Sequence, residues 1–170
     1  MNTVEAPVYF DTGSVIKELH STSKFEAIRE VIERSPVFRD RPDFDLDAFF
    51  EVVKKRELLQ STGFGHGVAV AHGRTEMVSD TTVALGISRC GIEYDALDER
   101  PVHLLFVVAN HPSQQVDYIN VLSSLITLVR QESFRNEIFC CMCEEEIEAK
   151  LCHGMARILM KTARKEIKSL

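Results

Sequence analysis

The stretch Gly63-Phe64-Gly65-His66-Gly67-Val68-Ala69-Val70-Ala71-His72-Gly73-Arg74 decides how the chain folds. Alternate glycines at 63, 65 and 67 punctuate a loop, because glycine takes tight and left-handed turns without a Cβ clash. Val68-Ala69-Val70-Ala71 is apolar throughout and too short for a helix, which predicts a short buried strand. That strand runs into His72, with Gly73 and Arg74 behind it. Two more apolar runs follow, Thr82-Val83-Ala84-Leu85-Gly86-Ile87 and His103-Leu104-Leu105-Phe106-Val107-Val108-Ala109, and both suit interior strands.

On either side of this middle third the periodicity is helical. Upstream, Val15-Ile16-Lys17-Glu18-Leu19 is a candidate first strand, and Ser23-Lys24-Phe25-Glu26 has the form of a capping box. Phe25, Ile28, Val31 and Ile32 then share one face of a helix that should end near Pro36. A second helix is predicted from Asp45, with Leu46, Phe49, Phe50 and Val53 as its stripe. It closes on Lys54-Lys55-Arg56, where positive charge suits the negative end of the macrodipole. Downstream, residues 115–130 carry Val116, Ile119, Leu122, Leu125, Ile126 and Val129 at helical spacing, and two more helical patterns cover 132–139 and 144 onward. Helices, then strands, then helices predict one α/β domain whose sheet is covered on both faces. No repeat, low-complexity tract or Gly/Ser linker divides it.

Composition narrows the function. A formal charge of -6 and a pI near 5.5 argue against a general nucleic-acid surface, the one basic cluster running from Arg157 to Lys168. No apolar run approaches the length of a membrane span, and MNTVEAPVYFD lacks the basic start and apolar core of a secretory signal. Five cysteines, four of them between Cys140 and Cys152, make a poor disulfide framework and suit a reducing compartment. The expected address is cytoplasmic, without direct membrane insertion.

The chemistry concentrates at His72. A neutral imidazole is a good nucleophile, and an ordinary pKa near 6.5 leaves much of it neutral at cellular pH. Flanking glycines, Gly65 and Gly73 among them, let backbone N–H groups approach an anion closely. Arg56 and Arg74 offer the planar, bidentate donors that phosphate prefers. The same features also describe a plain surface histidine in a glycine-rich loop, so residue chemistry alone leaves both readings open.

From Arg56-Glu57 through the glycine loop to Val68-Ala69-Val70-Ala71-His72-Gly73-Arg74, the chain resembles the signature of enzyme IIA domains of the fructose–mannitol class. These domains of the bacterial phosphoenolpyruvate-dependent phosphotransferase system include the nitrogen-regulatory proteins. The likeness continues through Gly91-Ile92-Glu93-Tyr94-Asp95-Ala96-Leu97-Asp98 and Pro101-Val102-His103-Leu104-Leu105-Phe106, and upstream to Ser23-Lys24-Phe25-Glu26-Ala27-Ile28. It implies a mixed, roughly five-stranded sheet with helices on both faces. It also implies a phosphoryl group accepted on His72 from the histidine phosphocarrier protein (HPr), steadied by Arg56, with no metal or other cofactor. The implied recipients are regulatory target proteins or, in transport members, a sugar permease subunit. The nitrogen-regulatory type is the leading expectation. The alternatives are a sugar-transport component and a binding module that kept the fold without phosphotransfer.

Two positions depart from the family pattern. Ala71 stands where proline usually precedes the histidine, and Tyr118 stands where a second active-site histidine commonly sits. A tyrosine hydroxyl can donate or accept a hydrogen bond there but cannot carry positive charge. His66 and His111 read as solvated loop residues, His103 as a hydrogen-bonded sheet residue, and His20 fits no pattern. Cys140, Cys141, Cys143, Cys152 and His153 hold enough soft ligands for zinc but lack paired C-x-x-C spacing, so no metal site is assigned and small apolar packing is expected instead. The expected organisation is an N-terminal arm over 1–13, the phosphocarrier domain over 14–152 and an amphipathic helical extension over 153–170. For that extension, packing on the domain stands beside partner docking or self-association.

Overall fold

The computed structural model describes residues 9, 10 and 12–168, with side chains as far as Lys165. Most of the expected N-terminal arm therefore lies outside the described residues, but Phe10 is buried and meets Phe106 edge to face. The sheet has five strands in the order β1-β4-β5-β3-β2: β1 (Val15–Ile16), β2 (Gly63–Gly65), β3 (Val68–Arg74), β4 (Thr82–Ile92) and β5 (Val102–Asn110). β3 runs parallel to β5 and β1 parallel to β4, while the β4–β5 and β2–β3 pairs are antiparallel. The expected mixed five-stranded sheet is the one found.

Period-two alternation splits the sheet residues between two cores. Val68, Val70, Phe106 and Val108 face one side, covered by α4 (Gln115–Val129), α5 (Glu132–Cys140) and α6 (Glu144–Lys168). Ala69, Ala71, Leu105 and Val107 face the other, covered by α1 (Lys24–Arg34), α2 (Pro36–Arg39) and α3 (Leu46–Leu59). Small residues on this second face let α3 sit close to β3.

Local chemistry explains most boundaries. The Asp45 carboxylate accepts from the Ala48 N–H at 2.9 Å and caps α3. Pro36 occupies the first turn of α2, where its missing N–H costs nothing. The capping box at Ser23 forms only in part: its hydroxyl donates to Glu26 Oε2 at 2.7 Å instead of accepting from the helix backbone. Two short elements differ from expectation. Residues 63–65, expected as loop, pair with β3 as β2, and the turn after Ser35 is the separate helix α2. The first strand covers only two of the five residues proposed for it. α6 is continuous through the expected boundary at 152.

Candidate functional site

His72 stands near the C-terminal end of β3, in register with Val108 of β5. Alternation puts it on the same face as Val68 and Val70, the side covered by α4. β2 pairs only with the beginning of β3, so β3 from Ala71 to Arg74 is paired with β5 alone. Arg56 reaches His72 from α3, a helix of the opposite layer, and Tyr118 approaches from α4, with 5.7 Å between ring centroids. Gly73 sets how near α3 comes. A Cβ there would lie 3.0 Å from the nearest methyl carbons of both Val52 and Val53, so glycine allows the close contact.

The hydrogen bonds fix the imidazole tautomer twice over. The Val70 carbonyl can only accept, so His72 Nδ1, 3.1 Å away, carries the proton. Arginine can only donate, so Nε2 accepts from Arg56 Nε–H, also at 3.1 Å. The two constraints agree, and Nε2 is left as the nitrogen with a lone pair. Arg56 is held in turn by donation from Nη1 to the Gln60 carbonyl at 3.1 Å. Burial is the main influence holding the His72 pKa below the usual histidine value. The bond to Val70 works against that, the charges of Arg56 and Arg74 with it, and Glu57 against it.

His72 opens onto a pocket of about 330 Å³, lined also by Val52, Arg56, Gly73, Arg74, Asn110 and Tyr118. Burial is the main cause that raises the Tyr118 pKa, opposed by Arg56 and Arg74, so its hydroxyl is neutral, a donor facing two cations. Neither arginine has a carboxylate partner among the described residues. A nucleophilic nitrogen, two guanidinium groups and a hydroxyl in one open pocket suit a tetrahedral anion.

Of the residues singled out in the sequence, the structure brings His72, Arg56, Gly73, Arg74 and Tyr118 together. Gly65 is elsewhere: it ends β2 with φ +96°, beside the Asp98 side chain, and does not line the pocket. His66 donates its backbone N–H to Asp98, and the His111 ring bonds within its own loop to Ser113. His103 bonds the Ser88 carbonyl. Cys141 is buried, and no group of three or more metal-ligating side chains occurs among the described residues. No described helix is long and apolar enough to cross a membrane.

The sequence assigns no role to two residues here, Glu57, present only as half of the Arg56-Glu57 pair, and Asn110. Glu57, beside Arg56, is 3% exposed, accepts from the Thr62 N–H and hydroxyl, and pairs with Lys24 Nζ at 3.3 Å. It ties the end of α3 to the start of β2. Asn110, the register partner of Arg74, is buried in the pocket wall.

A family described as "Phosphoenolpyruvate-dependent sugar phosphotransferase system, EIIA 2" matches residues 8–152. The fructose-specific EIIABC component of Bacillus subtilis is 35% identical over 94 residues, 55% of this chain and 15% of that protein. A nitrogen regulatory protein of Pseudomonas aeruginosa is 31% identical over 102 residues, 60% of this chain and 66% of that protein. The chain thus spans less than two thirds of either relative's length. The crystal structure of nitrogen regulatory protein IIA-Ntr from Neisseria meningitidis matches with a TM-score of 0.73 and 28% identity, over 84% of this chain and 96% of that one. IIA mannitol from Escherichia coli, at 22% identity and a TM-score of 0.66, covers 83% of this chain and 97% of its own, and speaks for the fold alone.

Proposed function

The chain belongs to the phosphotransferase-system EIIA 2 family, and on that premise we propose that His72 accepts a phosphoryl group at Nε2 and passes it on or holds it as a regulatory signal. The observation that carries this reading is the Arg56 Nε–His72 Nε2 contact of 3.1 Å on an imidazole whose other nitrogen is held by Val70. The donor is HPr or a nitrogen-type homologue. The recipient is a regulatory target or another phosphotransferase protein, a permease subunit being the transport version. The relatives named nitrogen regulatory protein support the regulatory version. The working domain is residues 14–152, continued by the part of α6 beyond 152.

In this step the Nε2 lone pair attacks the phosphorus of the donor's phosphoimidazolium ring. The donor's P–N bond breaks, and its electron pair stays on the donor nitrogen. His72 keeps its Nδ1 proton against the Val70 carbonyl, so the ring's positive charge travels with the phosphoryl group and no proton is transferred. Arg56 Nε–H, which meets Nε2 before transfer, turns to a phosphoryl oxygen, joined by Arg74, the Gly73 backbone and the Tyr118 hydroxyl. Positioning and charge do the work, with no general acid or base. Val52, exposed and in the wall of the pocket, gives the donor protein an apolar contact at the site.

Incubation with phosphoenolpyruvate, enzyme I and HPr should yield an acid-labile phosphoprotein, and His72→Ala should stay unlabelled. Labelling that survives His72→Ala would sink the assignment. Tyr118 also motivates a second reading, a binding module that never turns over phosphate. Wild type left unlabelled under those conditions, with a stable protein partner recovered, would favour it.

A further inference from the structure

Asn110 closes β5 in the wall of the His72 pocket and is 1% exposed. Its Oδ1 is buried with no hydrogen-bond partner among the described residues, and its Nδ2 reaches only the His111 carbonyl, at 3.4 Å. Its backbone, by contrast, is engaged: the carbonyl accepts from the Thr75 N–H at 2.9 Å, and the residue pairs with Arg74 across the β3–β5 ladder. Nearly all buried carboxamides in folded proteins are satisfied, because an unpaired one is costly. Packing alone does not call for asparagine here. Val108, two residues earlier on the same face, fills its place with a plain apolar side chain.

The setting supplies a reason. Arg74, the direct register neighbour of Asn110, lines the same pocket with five donors and no carboxylate partner among the described residues. A phosphoryl group on His72 would draw that guanidinium inward. We propose that Asn110 is a further phosphoryl-positioning residue, a role that rests on His72 being the phosphoacceptor. With the group on Nε2, the carboxamide turns about its Cβ–Cγ bond. Nδ2–H then donates to a phosphoryl oxygen, while Oδ1 accepts from the Arg74 guanidinium. The carboxamide, whose oxygen is unpaired in the unmodified protein, becomes the joint between Arg74 and the phosphoryl group.

Phosphoramidate tests this without a protein donor. The Nε2 lone pair attacks its phosphorus, the P–N bond breaks, and ammonia leaves with the electron pair. In wild type, labelling followed by phosphorus NMR should move an Asn110 side-chain amide proton downfield, and the same treatment of His72→Ala should not. Unmodified Asn110→Ala should unfold at or above the wild-type midpoint, since it removes an unpaired buried group. Its gain in Tm on phosphorylation should be about 3–10 °C smaller than that of wild type, as befits a lost hydrogen bond to a charged group. An unmoved amide signal, or an equal gain in both proteins, overturns the role. So does a loss of stability in Asn110→Ala that is the same in both forms. Failure of phosphoramidate to label His72 overturns the proposal together with the reading beneath it. Labelling by phosphoramidate but not by HPr, with the amide shift present, removes only the protein donor.

Discussion

His72 serves two demands that the same cations meet: it must be neutral to attack, and it must sit among positive charges once it carries a phosphoryl group. Burial answers the first by lowering its pKa, and Arg56 and Arg74 contribute to both. The folded ring should therefore titrate below the ordinary value of about 6.5, which an NMR titration of its ring signals reads directly. The sign of the linkage follows. Between the folded pKa and about 6.5 the unfolded chain binds more protons, so His72 contributes stability that is present above about 6.5 and lost as pH falls through the folded value. Denaturant midpoints across that window should fall less steeply with acid in His72→Ala than in wild type. An equal slope would mean that His72 is not shifted by folding. His72, Arg56, Arg74 and Tyr118 were visible in the sequence because a motif or a register placed them. Asn110 was not, and Glu57 was visible only as half of the Arg56-Glu57 pair, with no role of its own. An asparagine at a strand end belongs to no pattern, and only the folded contacts show both side chains buried.

At the scale of elements, the contact that matters is α3 on β3 at Gly73. Gly73→Ala would set a methyl 3.0 Å from the Val52 and Val53 side chains and force α3 outward by a few tenths of an ångström. Arg56 rides on that helix. The expected result is a loss of about 1–3 kcal/mol in denaturant unfolding, together with slower labelling of His72. Full labelling at the wild-type rate would show that the helix need not be that close. The long elements were legible: β3, β4, β5, α1, α3, α4 and α6 all begin within a few residues of where apolar spacing and cap residues put them. β2 was not, because Gly-Phe-Gly has neither alternation nor length, and its pairing depends on Thr62 and on the Glu57 contact beyond it. α2 is a four-residue helix, too short for any periodicity to announce.

At the scale of the molecule, two cores are built back to back on one sheet, and the site draws on both. Arg56 comes from the layer of α1–α3 and Tyr118 from the layer of α4–α6, while β3 and β5 between them provide His72, Arg74 and Asn110. Because these layers are separate contact clusters, each can loosen without the other, as cooperative units within one domain often do. A phosphoryl group gripped from both sides would work as a clamp across the sheet. Amide hydrogens at the end of α3 and the start of α4 should then exchange with heavy water more slowly in the phosphorylated protein, while those far along α6 keep their rate. Retardation confined to one layer would show that the grip is one-sided. The modification would then be felt as a change in which fluctuations the fold permits, on two surfaces at once, and a protein that touched either surface could sense it.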